Sequence, residues 1–170
     1  MRRSAAATRT VCRMSHRNRV SVERLIPAPA DQIFDLLVDP ARHLDIDGSG
    51  TVRRARSGGR RLALGDAFGM DMKLGTSYST RNVVVELVED RLIAWRTLAP
   101  FPLTLLFTGR TWRYELEPVE GGTLVRETWD VSTEAWPGRP AVRRMAGSTR
   151  RNMDRTLARI EEIVTADVGS

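Results

Sequence analysis

The sequence predicts an α+β fold in which a broad, curved antiparallel sheet wraps around one long C-terminal helix. Three observations point to it. Apolar or small side chains at Val142, Met145, Thr149, Met153, Thr156, Leu157, Ile160, Ile163 and Val164 recur at steps of three and four over residues 138–165. That spacing makes one stripe of a 3.6-period helix, with Arg143, Arg144, Arg150, Arg151, Arg155 and Arg159 on the other side. Residues 67–74 alternate, with Phe68, Met70, Met72 and Leu74 on one face and Gly69, Asp71 and Lys73 on the other. Residues 109–118 and 123–132 read as a hairpin across Glu120-Gly121-Gly122. A helix of roughly 25 residues is about 38 Å long. Strands are its natural partner, and a sheet curled around it leaves an interior hollow.

The elements follow in order. Residues 1–18 hold arginine, alanine, threonine and serine without an acid, and read first as a disordered tail, with an organellar transit peptide or sequence upstream of a start at Met14 as the alternatives. Residues 19–26 alternate through Val20 and Val22 and form the first strand, stopped by Pro27 and Pro29. Residues 29–38 read as a helix, with Pro29 at its start, Asp31 in the first turn and Ile33, Phe34 and Leu37 as its apolar stripe. Asp39-Pro40 ends it, and Ala41 to Leu44 add a short turn. Strands are expected at 51–56, 67–74, 79–88, 91–98, 109–118 and 123–132. Residues 99–108 are apolar but interrupted by proline, and read as a loop near the mouth of the hollow. Pro137, Gly138 and Pro140 introduce the long helix. The domain is expected to run over 19–166, with 167–170 as a C-terminal tail.

Composition excludes several functions. Cys12 is the single cysteine, so no intrachain disulfide forms. Two histidines, His16 and His43, with one cysteine cannot build a His/Cys zinc cluster, and no metal or cofactor is expected. The net charge is +6, but residues 1–19 carry six arginines and no acid, leaving 21 basic and 21 acidic residues elsewhere. The basic character belongs to the tail, so no nucleic-acid partner is expected for the domain. No run approaches the ~18 apolar residues of a membrane span. No apolar core follows the N-terminal arginines, so a cytoplasmic location is expected.

The candidate site lies on the last hairpin. A tight turn at Glu120-Gly121 pairs Trp112 with Trp129 and Tyr114 with Glu127, while a turn shifted to Gly121-Gly122 changes the partners but keeps the faces. Arg110, Trp112, Tyr114 and Leu116 then share a face with Val125, Glu127, Trp129 and Val131. The other face, with Arg113, Glu115, Glu117, Arg126, Thr128 and Asp130, reads as solvent-facing. The inner face is aromatic with one Arg and one Glu embedded, and a charge there needs a partner or water. Phe68, Met70 and Met72 add soft, adaptable surface. Pairing Met72 with residue 79 or 81 across the turn near Gly75 places Arg81 inward, and a β-bulge reverses it. A turn at Glu89-Asp90 pairs Trp95 with Val84, on the opposite face from Arg81; both residues are candidates. Met145 and Thr149 line the hollow from the long helix. His43 and Asp45, in a polar loop with Asp47, are placed at its rim. Asp45-x-Asp47-Gly48 lacks the downstream acidic ligands of a calcium loop. No nucleophile elbow, phosphate loop or dinucleotide fingerprint is present.

The order strand, helix pair, six strands, long helix, together with Pro-Ala-Pro-Ala-Asp-Gln-Ile-Phe-Asp-Leu-Leu at 27–37 and Trp112 to Leu116 before a Gly-Gly turn, resembles the START-related helix-grip superfamily. Within it the chain is similar to the polyketide cyclase/dehydrase and lipid-transport group. The resemblance covers roughly residues 19–165. It implies a seven-stranded antiparallel sheet gripping the C-terminal helix around a cavity for hydrophobic small molecules. Where many members carry a Trp after the first helix pair, this chain has His43 and Asp45. Members share no single catalytic motif, so the resemblance assigns no catalytic residue. Three functions remain open. One is carriage of a lipid, polyketide or aromatic metabolite. A second is a cyclase/aromatase-type reaction in the same cavity, with Arg110, Tyr114, Glu127 and Arg81 as candidate acid/base and cationic groups. The third is a protein-interaction module that needs no ligand.

Overall fold

The computed structural model describes residues 18–56, 59–98 and 109–166. The expected tail at 1–17, the loop at 99–108 and residues 167–170 lie outside them. The described strands are β1 (Arg19–Ile26), β2 (Val52–Ala55), β3 (Ala67–Leu74), β4 (Thr76–Val88), β5 (Leu92–Leu98), β6 (Arg110–Val119) and β7 (Gly122–Asp130). They form one antiparallel sheet in the order β1-β7-β6-β5-β4-β3-β2. The first strand thus closes against the last, and β6 and β7 lie next to it, beside the C-terminal helix.

Between β1 and β2 the chain forms α1 (Ala30–Val38), a 3₁₀ turn (Pro40–Arg42) and α2 (His43–Ile46). Pro29 occupies the N-cap position of α1 with extended backbone, and Asp31 sits in the first turn. The helix buries Ile33, Phe34, Leu36, Leu37 and Val38, a wider stripe than the three positions that periodicity marks. The Asp39 carboxylate accepts from the Ala41 N–H and starts the 3₁₀ turn.

The C-terminal helix is broken. α3 (Arg139–Arg143) and α4 (Ala146–Ala166) are separated at Arg144-Met145. There the N–H groups of Arg144 and Met145 donate to the carbonyls of Ala141 and Val142, three residues back rather than four. The tightened turn shifts the helical phase. Met145 is therefore thrown off the apolar stripe and is 43% exposed. From Thr149 onward the stripe holds, with Met153, Leu157, Ile160 and Val164 in the core. Arg24 on β1 ties α4 to the sheet through Glu161 at 2.6 Å.

One loop contact fixes where α2 sits. Asp47 accepts from Ser49 and Val52 N–H groups and folds the α2–β2 loop back on itself. Gly48 then lies directly on α4, where its N–H donates to Thr156 Oγ1 at 3.1 Å. A Cβ at this position would collide with the Asn152 carbonyl and the Thr156 nitrogen, so only glycine allows the approach.

Among the described residues, no helix is long and apolar enough to cross a membrane.

Candidate functional site

The hairpin pairs as its turn dictates: Trp112 opposite Trp129, Tyr114 opposite Glu127 and Leu116 opposite Val125. On the other side of β7, Val22 of β1 lies opposite Glu127. Period-two alternation puts Glu127 and Trp129 on the inner face, 1% and 2% exposed. Tyr114 is buried beside them, and its hydroxyl donates to Glu127 Oε1 at 2.7 Å. Glu127 Oε2 and Trp129 Nε1 have no hydrogen-bond partner. The two tryptophan rings lie 6.4 Å apart, tilted at 46°.

Burial is the main cause that raises the Glu127 pKa, to about 8. The negative charges of Asp154 and Asp47 push in the same direction, while the hydrogen bond from Tyr114 opposes them. The shift favours the neutral carboxylic acid at neutral pH. Since Oε1 accepts from Tyr114, the proton sits on Oε2. The Tyr114 hydroxyl is held well above its ordinary value by burial, and by the Glu127 charge that would face it.

An aromatic stack continues from Tyr114 across the sheet. Tyr114 stacks on Trp95 at 5.4 Å, and Trp95 stacks on His43 at 5.1 Å. Phe68 meets both His43 and Trp95 edge-on. His43 is 6% exposed, and its Nε2 lies 2.8 Å from the Leu37 carbonyl oxygen. A carbonyl only accepts, so Nε2 carries the proton. Burial lowers the imidazole pKa against the opposing effects of Leu37, Asp39 and Asp47. His43 is therefore no rim residue, because α2 carries it inward to cap the stack. Asp45 is at the surface on the same short helix, paired with Arg42 at 2.9 Å.

The other candidates divide. Phe68, Met70, Trp95 and Thr149 are buried, and Met72 and Trp112 are half-buried. Trp95 pairs with Val84 as the Glu89-Asp90 turn implies. Arg81 does not face inward. The β3–β4 connection is centred on Gly75 (φ 74°), so Met72 pairs with Tyr78 and Arg81 with Gly69. Arg81 is exposed on the outer face, and Asn82 takes the inner position. There Asn82 Oδ1 accepts from the Thr97 hydroxyl at 2.7 Å. Met145 is turned out by the helix break. Arg110 is half-buried, with its guanidinium 3.9 Å from Glu134.

Glu134 has no periodicity to mark it, since it follows the end of β7. It is nonetheless fully buried, with Oε2 accepting from the Gly109 N–H at 3.3 Å and Oε1 without a hydrogen bond. Along β6–β7 the inner face thus runs from apolar Leu116/Val125, through the Tyr114–Glu127 pair and the tryptophans, to Arg110 and Glu134.

The outer face of the same strands holds an open trough of about 940 Å³. Its floor is crossed by ion pairs: Arg113 to Glu86 at 2.8 Å, and Arg19 to Asp130 at 2.6 Å. The trough is separated from Glu127 by the sheet itself. Its carboxylates Glu86, Glu115 and Asp130 each lie within 4 Å of a guanidinium group. Among the described residues, no three His, Cys, Asp or Glu side chains meet in a way that could hold a metal ion.

A sequence profile described as polyketide cyclase/dehydrase and lipid transport matches residues 17–165. The chain belongs to this family. The uncharacterised protein Rv0088 of Mycobacterium tuberculosis is 37% identical over 114 residues, 66% of this chain and 47% of the relative. The chain thus spans about half the length of the curated relatives it matches. Solved structures share the helix-grip architecture. A Rhodobacter sphaeroides protein superposes with a TM-score of 0.68 at 17% identity, over 93% of this chain and 99% of that one. The di-domain aromatase/cyclase StfQ of steffimycin biosynthesis gives 0.61 at 18% identity, over 91% of this chain and 53% of that one. An AHSA1-like protein of Aeromonas hydrophila gives 0.60 at 15% identity, over 85% and 93%. At these identities the likeness concerns the fold.

Proposed function

We propose that this family member binds a hydrophobic small molecule between the inner sheet face and α4. The observation that carries this is the pair of unpartnered polar atoms, Glu127 Oε2 and Trp129 Nε1, inside an otherwise aromatic interior. Buried polar groups are almost always hydrogen-bonded, and one left alone costs about 1–3 kcal/mol. A fold keeps such atoms where a guest completes them. The family's lipid-transport and cyclase members support a guest of apolar character. Native mass spectrometry of the purified protein, followed by organic extraction, tests the reading. The expected result is an apolar molecule in stoichiometric amount, or saturable quenching of the tryptophans by added apolar aromatics. An apo mass together with no saturable quenching would overturn it.

A cyclase-type reaction in the same interior is the second reading, favoured by the Tyr114–Glu127 contact. A carboxyl group titrating near 8 can both take and give a proton at neutral pH. Under this reading Tyr114→Phe and Glu127→Gln abolish turnover of a polyketone while binding survives. Under pure carriage no turnover is seen in any form.

A further inference from the structure

We infer that Glu127 and Trp129 form a two-donor subsite that recognises one neutral acceptor oxygen of the bound molecule, a ketone, quinone or ester carbonyl. This rests on the ligand-binding reading of the inner face and names the class of guest.

The two atoms without partners are of the same kind. Trp129 Nε1 is a donor only. Glu127 has no cation within ion-pair distance among the described residues, and Oε1 already accepts from Tyr114. An unpaired carboxylate is the costlier state of a buried acid, so the remaining oxygen carries the proton and is a donor too. Both residues face inward two positions apart on β7, an advance of roughly 6.8 Å. One oxygen accepting two hydrogen bonds of about 2.9 Å through its two lone pairs joins donors about 5 Å apart, so the two side chains reach one acceptor by leaning towards each other by about 2 Å. A hydrocarbon would leave both donors unanswered.

Charge narrows the class further. Asp47 from the α2–β2 loop and Asp154 from α4 both act on Glu127 as negative charges, with Tyr114 as its partner from β6. Among the described residues, no Lys or Arg lies within ion-pair distance of Glu127 to offset them. A carboxylate guest, such as a free fatty acid with its head at this point, would be repelled by both acids. An ammonium guest would be drawn to the acid, but it would leave the Trp129 N–H unpaired. A neutral carbonyl satisfies both donors without adding charge.

Equilibrium dialysis at pH 7 with a ring series of one size tests this: 9-fluorenone, fluorene, fluorene-9-carboxylate and 9-aminofluorene. The expected result is fluorenone bound at least about tenfold more tightly than fluorene and the carboxylate. The ketone-over-hydrocarbon ratio should fall towards one in Trp129→Phe and in Glu127→Leu. It should recover in Glu127→Gln, whose amide keeps a donor. Circular dichroism reports whether each variant is folded, and the wild-type ratio decides the matter if a variant is not. Equal binding of ketone and hydrocarbon would overturn the subsite while leaving the proposal of apolar-ligand binding intact; the donors would then keep a water. Tightest binding of the carboxylate or the amine would also overturn it. Failure of all four probes would overturn the ligand-binding reading with it.

Discussion

The two faces of the β6–β7 hairpin are built from alternate residues of the same two strands, yet they treat a glutamate in opposite ways. On the outer face Glu115 lies within 4 Å of two guanidinium groups, Arg113 at 3.6 Å and Arg126 at 3.9 Å, in a trough open to solvent. On the inner face Glu127 has a tyrosine hydroxyl, Trp112 and Trp129 on the same face of the paired strands, and no cation within ion-pair distance among the described residues. A carboxyl group stays charged where guanidinium and water surround it. Where neither is present, it keeps its proton. One step along a strand is enough to convert a surface ion pair into a hydrogen-bond donor in an apolar interior. The second environment is the one suited to recognising a guest.

The largest expected effect tests that contrast through stability. The folded-state pKa of Glu127, about 8, lies above the ordinary 4.5. Its contribution is therefore full below about 4.5 and is lost as pH rises through about 8. Unfolding free energy from urea titrations should fall across that window, by about 1.4 kcal/mol per pH unit at the steepest. Glu127→Gln should remove most of the slope. A flat profile in the wild type would mean that the acid is charged and paired.

His43 gives a dependence of opposite sign. Its pKa is lowered in the folded state, so its contribution is present above about 6.5 and is lost as pH falls towards the lowered value. Replacing His43 by Phe should flatten the acid limb and keep the stack on Trp95, read as near-ultraviolet circular dichroism. Tyr114→Phe is next. It removes the donor to Glu127 Oε1 and should cost about 1–2 kcal/mol in urea unfolding, more than removal of any single outer ion pair. The smallest effect belongs to the trough. A double-mutant cycle on Arg113 and Glu86 should give a coupling of about 0.2–1 kcal/mol that shrinks with added salt. A coupling above that of the Tyr114–Glu127 pair would break the comparison.

Most of the sheet was legible because it depends on local rules. The β1 and β3 limits, and the faces of the last hairpin, follow from alternation, while the Trp112–Trp129 register depends on the turn falling at Glu120-Gly121 and not at Gly121-Gly122. Reading failed where a single residue decides a phase. Whether Arg81 or Asn82 faces inward turns on the connection being centred on Gly75, and a shift of one residue flips the whole strand. The stripe of the C-terminal helix was visible, but the 3₁₀-like turn at Arg144-Met145 leaves no mark in the sequence pattern. His43 and Glu134 were illegible for another reason. Their burial is imposed by elements distant in the chain: the β-sheet aromatics over His43, and Gly109 and Arg110 around Glu134. Neither has a periodicity that would have placed it inside.

The state of Glu127 is the point on which the contrast between the two faces rests. A carbon-13 NMR titration of glutamate side-chain carboxyls, with Glu127→Gln to assign the resonance, measures it directly. The expected result is a midpoint near 8, well above the ordinary 4.5. A midpoint in the ordinary carboxylate range near 4.5 would show a charged, paired Glu127 and would contradict the account of the inner face as a neutral, donor-bearing interior.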